Sequence, residues 1–265
     1  VARKPVDLEA YVRTLGERIG EERDLMRNAV AAARRDPRRI VYPEGDAERI
    51  LIAAEAVVTE RIARPVLVGS EALIRARAAE INVNLEGVEI ADPDTWPHLE
   101  QYANELHELR KHRRVDLETA RRLVKDPLWF GPMMLRMGHA DGLVSGVTRR
   151  VRKTMPPMLK TIPLRPGARL ACGMTMAFPS HGTVFFADTA VNITPTDQEL
   201  AEIALLAAEQ IQEFGIEPIV AMISFSSFGG TPHPQSDLVR RAVRLAREEA
   251  PHLVIDGEMR VDCAL

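Results

Sequence analysis

Apolar positions along this chain alternate between helical and strand spacing. Leu8, Val12, Leu15 and Ile19 recur every three or four residues, and Leu25, Met26, Ala29, Val30 and Ala33 resume the pattern beyond Gly20. That spacing predicts a helical arm across residues 7–36. Pro37 closes the arm, and Ile40, Val41 and Tyr42 open a first strand. Helix-like 48–60 follows, then a buried strand at 65–69, a helix at 71–80 and a strand at 88–90. Three helical runs at 99–113, 117–124 and 128–137, punctuated by Asp116 and Pro127, lead to a strand at 142–146. Such β/α alternation predicts a mostly parallel sheet covered by helices.

Beyond Gly146 a strongly basic stretch begins, and the pattern resumes with strands near 170–175, 183–187, 219–225 and 253–256. Between the middle pair, residues 196–214 carry full helix punctuation. Thr196 and Glu199 match a capping box, or Thr194 caps with Pro195 in the first turn. Leu200, Ile203, Ala204, Ala207, Ile211 and Phe214 make one apolar stripe, and Gly215 supplies a left-handed stop. The expected fold is α/β with two lobes, each a mostly parallel sheet flanked by helices, and a cleft between them. Residues 1–36 form a connector, 37–146 the first lobe and 147–265 the second.

Composition narrows the function. A chain of 265 residues that is 46% hydrophobic and 28% charged is an ordinary globular protein, comfortable as two lobes. A formal charge of −3 argues against a dedicated nucleic-acid binder. Cys172 and Cys263 are isolated thiols without disulfide or metal spacing. No apolar run approaches the roughly 18 residues of a membrane span, and the first residues lack a signal peptide's apolar core. A cytoplasmic location, with no membrane and no nucleic acid as partner, is the expectation.

Five stretches carry candidate chemistry. Tyr42-Pro-Glu-Gly-Asp-Ala-Glu-Arg49 joins the first strand to its helix. Its exposed N–H groups can meet an anion, or the loop is an ordinary turn. Glu105-Leu-His-Glu-Leu-Arg-Lys-His112 ends a helix, where cations complement the dipole in any case. Arg149, Arg150, Arg152 and Lys153 form the densest positive cluster, able to neutralise ligand phosphates or simply solvated. The Ser/Gly loop containing Ser226, Phe228, Gly229 and Gly230 lacks a nucleophile elbow, and its His233 stands alone. Asp256, Glu258 and Asp262 alternate near the end, yet no His completes a ligand set, so no metal is assigned.

The stretch from Phe186 to Gly230 and the run Glu108-Leu-Arg-Lys-His112 resemble the phosphate acetyltransferase family. More closely still, they resemble the acetyltransferase-like C-terminal domain of bifunctional NADP-dependent malic enzymes. The resemblance implies an acyl-CoA site using Arg49, Arg110, Arg149, Arg150, Arg152 and Lys153, with Glu44, Ser145, Thr154, Ser226, Asp256 and Glu258 lining the cleft. Catalytic relatives are expected to carry an Asp and an Arg in the strand-exit loop, where this chain has Lys153 and Pro156. They are also expected to continue with a further segment beyond the position of Leu265, which completes their first lobe.

These departures argue against acetyl transfer, so no catalytic residue is assigned. The resemblance then implies a domain that senses acetyl-CoA as an effector and pairs through its second lobe as a homo-oligomer. Its partner would be an N-terminal malic enzyme domain of the same polypeptide, which would hold NADP and a divalent metal. The rivals are a working phosphate acetyltransferase and a structural oligomerisation module with a vestigial cleft.

Overall fold

In the computed structural model, residues 21–179 and 182–264 are described, so the predicted arm's Leu8, Val12, Leu15 and Ile19 lie outside them. The remainder of the arm is helix α1 (Glu21–Arg35). The chain divides into two compact units, Asn28–Pro163 and a second that takes in the chain from Leu164 onward together with the residues up to Arg27, so the break falls after Pro163 rather than after Gly146.

The first unit is a four-stranded parallel sheet: β1 (Arg38–Tyr42), β2 (Ala63–Val68), β3 (Glu89–Ala91) and β4 (Gly142–Leu143), in the order β3-β2-β1-β4. Helices α2 (Glu48–Glu60) and α3 (Glu71–Glu80) make the first two crossovers. Helices α4 (Leu99–Arg110), α5 (Leu117–Leu123) and α6 (Pro127–Arg136) fill the connection from β3 to β4.

Strand periodicity sorts the core. Val41, Val66 and Val68 point to one face and pack with Tyr102, Leu106, Phe130 and Met133 of α4 and α6. Tyr42 and Leu67 point to the other face and pack with Ile50, Leu51 and Ile74 of α2 and α3. Burial on both faces is why these strands read as continuous apolar runs.

The basic stretch after β4, read from sequence as a loop, enters helix α7 (Val151–Thr161), which continues through Pro156 and Pro157. Two interior prolines each remove a helix hydrogen bond and argue against a helix locally. Packing wins here: Thr154, Pro157 and Thr161 are buried, and α7 lies against α6. That contact is also why the unit boundary falls after Pro163.

The second unit holds an antiparallel pair, β5 (Met174–Ala177) with β6 (Val184–Ala187), and a parallel pair, β7 (Ile219–Ile223) with β8 (Val254–Met259). The mostly parallel arrangement expected for this lobe is therefore confined to β7 and β8. Helix α8 (Asp197–Glu213) starts on the capping box, with Thr196 Oγ1 accepting from the Glu199 N–H and Glu199 reaching back to the Thr196 N–H. It packs with α9 (Pro234–Glu249) on β7 and β8 through Ala201, Ala204, Met222, Val239, Ala242, Val243 and Ile255. Helix α10 (Val261–Ala264) follows β8. The overall class is the expected one, α/β with a parallel sheet flanked by helices. No helix among the described residues is long and apolar enough to cross a membrane.

Candidate functional site

In the first unit β2 and β3 continue on one side of β1 while β4 returns on the other, so the strand order reverses between β1 and β4. Ligands of open α/β sheets bind outside the carboxyl ends of strands at such a reversal. A cavity of about 380 Å³ opens there, lined by Pro43, Glu44 and Asp46 after β1, Val68, Gly69 and Ser70 after β2, and Thr148, Arg149 and Lys153 after β4. Asp126, Pro127 and Leu128, at the start of α6, close the remaining side.

Local chemistry explains how the loops hold their places. Gly45 donates its N–H to the Val68 carbonyl at 3.2 Å, and a Cβ there would stand 2.7 Å from that same oxygen. Only glycine allows this approach, which fixes the first loop onto the end of β2. The neighbouring Glu44 is buried, and its carboxylate is filled by the β4–α7 loop. Oε2 accepts from the Ser145 hydroxyl and from the N–H groups of Gly146 (2.7 Å) and Val147 (3.1 Å). Oε1 accepts from the Thr148 N–H and hydroxyl and from the Arg149 N–H at 2.9 Å. Burial alone would raise this carboxyl, but the donors of Thr148, Gly146 and Val147 outweigh it and hold it down to about 2.

The cations behave differently. Arg149, Arg150, Arg152 and Lys153 are all exposed, and among the described residues none forms an ion pair. Arg150 occupies the N-cap of α7 with no side-chain cap. Four cations at the positive end of a helix repel both that end and one another, an arrangement that an anion relieves. Arg149 and Lys153 line the cavity; Arg150 and Arg152 stand beside them in sequence without lining it.

The other candidates lie elsewhere. Arg49 is exposed on the first turn of α2 and does not line the cavity. Arg110 ends α4, half-buried, with no side-chain partner among the described residues, and is likewise outside the cavity lining. Thr154 is buried and donates to the Val151 carbonyl of its own helix.

Ser226, Asp256 and Glu258 belong to the second unit. The buried Ser226 hydroxyl oxygen accepts from the Thr231 N–H, which makes it a loop brace. Asp256 pairs with Arg247 at 2.8 Å. Glu258 is fully buried; its Oε1 accepts from the Gly229 N–H at 2.8 Å, and its Oε2 lies 3.7 Å from Arg240 Nε.

Thr148, Asp46 and Asp126 join the site without having been singled out from sequence. Thr148 could have been found by its place between the strand exit and the cations, but no local pattern marks Asp126. A larger cavity of about 450 Å³ in the second unit has mostly apolar walls, including Phe186, Ile211, Ile219 and Ile223, and lacks cationic lining. Of these two cavities, only the first has Arg or Lys in its lining. No three His, Cys, Asp or Glu side chains cluster as a metal site would need among the described residues.

The pocket at this strand reversal offers the Arg149 and Lys153 side chains to an anionic ligand beside the carboxylates of Glu44, Asp46 and Asp126, and similarity to known proteins narrows the family. The model of the phosphate acetyl/butaryl transferase family matches residues 24–265. The chain belongs to that family. Phosphate acetyltransferase from Clostridium acetobutylicum is 39% identical over 249 residues, covering 91% of this chain and 75% of that protein. The NADP-dependent malic enzyme of Escherichia coli is 36% identical over 270 residues, matching all of this chain but 36% of the enzyme. The crystal structure of a phosphotransacetylase from Streptococcus pyogenes superposes with a TM-score of 0.85 at 33% identity, covering 92% of this chain and 74% of that one. The Clostridium acetobutylicum enzyme is matched over most of its own length, whereas the malic enzyme match is partial. The sequence expectation of a regulatory malic enzyme domain is therefore less well supported than its rival.

Proposed function

We propose that this chain works as a phosphate acyltransferase, exchanging an acyl group between coenzyme A and inorganic phosphate. In one direction the coenzyme A thiol gives up its proton and its sulfur attacks the carbonyl carbon of an acyl phosphate. A C–S bond forms, the C–O bond to phosphate breaks, and phosphate leaves as the stronger base that takes the proton. The reverse reaction uses the same bonds. The observation that carries the reading is the pair Arg149 and Lys153, unpaired and facing the switch-point cavity, in a chain 39% identical to a phosphate acetyltransferase across 75% of its length. Their charge would neutralise transferring phosphate oxygens and stabilise charge that develops on the carbonyl oxygen. Acetyl-CoA is the first substrate to test, by following acetyl phosphate formation with the purified protein.

One observation keeps a second reading. Lys153 and Pro156 stand where the resemblance leads one to expect an Asp and an Arg, and Pro156, inside α7, offers no charge. On that reading acetyl-CoA is an effector, the chain joins an N-terminal malic enzyme domain holding NADP and a divalent metal, and binding without turnover is the outcome. Either way we infer a homo-oligomer formed through the second unit, supported by the exposure of Phe225 and Phe228 beside Gly229 and Gly230.

A further inference from the structure

Between Ser145 and Arg149 the chain makes no backbone hydrogen bond to any described residue other than Glu44. The Val144 N–H still belongs to the sheet, bonding the Val41 carbonyl, and the first helical bond of α7 comes from Lys153. Six donors between them are gathered on one carboxylate: four consecutive N–H groups, from Gly146 to Arg149, and the hydroxyls of Ser145 and Thr148. Successive N–H groups converging in this way form an anion-binding concavity. Gly146, with φ +114°, takes the backbone conformation that starts it. In many phosphate sites such a concavity receives the ligand. Here it is already filled from within, by a side chain anchored to the sheet through Gly45 and Val68.

Two consequences follow. The ligand's phosphate cannot use these N–H groups and must be met by side chains. The loop that presents those side chains carries a dense positive charge that favours its opening, and Glu44 supplies both the counter-charge and the ties that keep it closed. We propose, building on the acyltransferase reading above, that Glu44 is a positioning residue: a built-in anion that folds the β4–α7 loop so that Arg149 and Lys153 face the switch-point cavity before any substrate arrives. Glu44 touches no reacting atom. Its chemistry is replaceable by any small carboxylate that reaches the same donors.

Removal of the side chain leaves a vacant anion hole that formate fits. The test uses the whole protein as wild type, Glu44→Ala, Glu44→Gln and Glu44→Asp, with retained fold checked by circular dichroism. Trypsin cuts after arginine and lysine, so the rate of cleavage at Arg149, Arg150, Arg152 and Lys153 reads loop opening without reference to turnover. Glu44→Ala should be cut at these sites about tenfold faster or more, the order expected for losing several charge-assisted hydrogen bonds. Formate should restore protection to Glu44→Ala but not to Glu44→Gln, whose amide occupies the hole and cannot accept at both positions. Glu44→Asp should fall between, since it keeps the charge with a shorter reach.

In steady-state assays the KM for phosphate should rise with a smaller change in kcat, and formate should lower it again. A folded Glu44→Ala protein cut no faster than wild type overturns the proposal, as does protection that formate leaves unchanged. Should Glu44→Ala fail to fold, the Glu44→Gln and Glu44→Asp cleavage rates decide: equal to wild type, they overturn it. A wild type without transferase turnover sinks the functional reading alone, because trypsin and formate report on the loop independently.

Discussion

The Tyr102 hydroxyl lies 2.6 Å from Nδ1 of His139, tying α4 to the turn after α6. Burial pushes Tyr102 up to about 12, so the phenol stays protonated. The His139 ring also stacks near His98, with centroids 4.7 Å apart. Burial first, then the charges of His98 and Arg39, hold the His139 imidazole below its ordinary value, against a smaller opposing effect from Glu89. Protonation is therefore easier in the unfolded chain. The stability this group contributes is complete above its unfolded value of about 6.5 and is lost as pH falls through the lower folded value. The thermal midpoint should drop between about pH 7.5 and pH 5, and drop less in His139→Gln. Equal drops in both proteins would remove His139 from the account.

Gly45 should tolerate no side chain. An alanine Cβ would meet the Val68 carbonyl oxygen at 2.7 Å and the Val68 nitrogen at 2.9 Å, both backbone atoms that cannot swing aside. Gly45→Ala should destabilise the protein by about 1–3 kcal/mol, the usual cost of overpacking. Chemical denaturation measures it, and an unchanged midpoint would mean that the loop shifts without cost.

The start of α8 offers a local test. Thr196→Ala removes both hydroxyl contacts to Glu199, and should cost about 1 kcal/mol, with Thr196→Ser retaining most of it. A loss confined to Ala and absent in Ser identifies the cap, while equal losses would point to the methyl group.

Much of this architecture is legible in sequence where the determinants are local. The limits of α2 and α3 follow from apolar spacing, and the start of α8 from Thr196 and Glu199. Helix α7 is not legible, because Pro156 and Pro157 speak against it and the packing on α6 that overrides them is tertiary. Glu44 is recognisable from its loop as a residue near the site. Its partners, however, lie around a hundred positions away, and no spacing announces that it faces inward to backbone donors rather than outward to a ligand. Arg110 shows the converse: a motif-borne arginine that does not line the cavity.

The cations should therefore separate by position. Arg149→Ala and Lys153→Ala should each raise the KM for acetyl-CoA or phosphate about tenfold, with an effect that shrinks at high salt. Arg110→Ala tests whether the half-buried guanidinium of α4 also meets substrate. A wild-type KM for Arg110→Ala would exclude it, and a wild-type KM for both Arg149→Ala and Lys153→Ala would move the anion site elsewhere.

Phe228 is 62% exposed on the second unit, held in a turn by hydrogen bonds from its own N–H and that of Gly229 to Glu258. Burying such a ring between two copies removes apolar surface that the unit leaves uncovered. Phe228→Glu should lower the oligomeric mass seen by light scattering while leaving the fold intact. A folded variant of unchanged mass would place the contact elsewhere.

The most direct measurement is the formation of acetyl phosphate from acetyl-CoA and inorganic phosphate by the purified protein, followed with release of the free thiol. Turnover above the uncatalysed background, reduced in Arg149→Ala and Lys153→Ala, is the result the acyltransferase account predicts. Acetyl-CoA binding without any turnover, at saturating phosphate, would contradict it and leave the effector reading in its place.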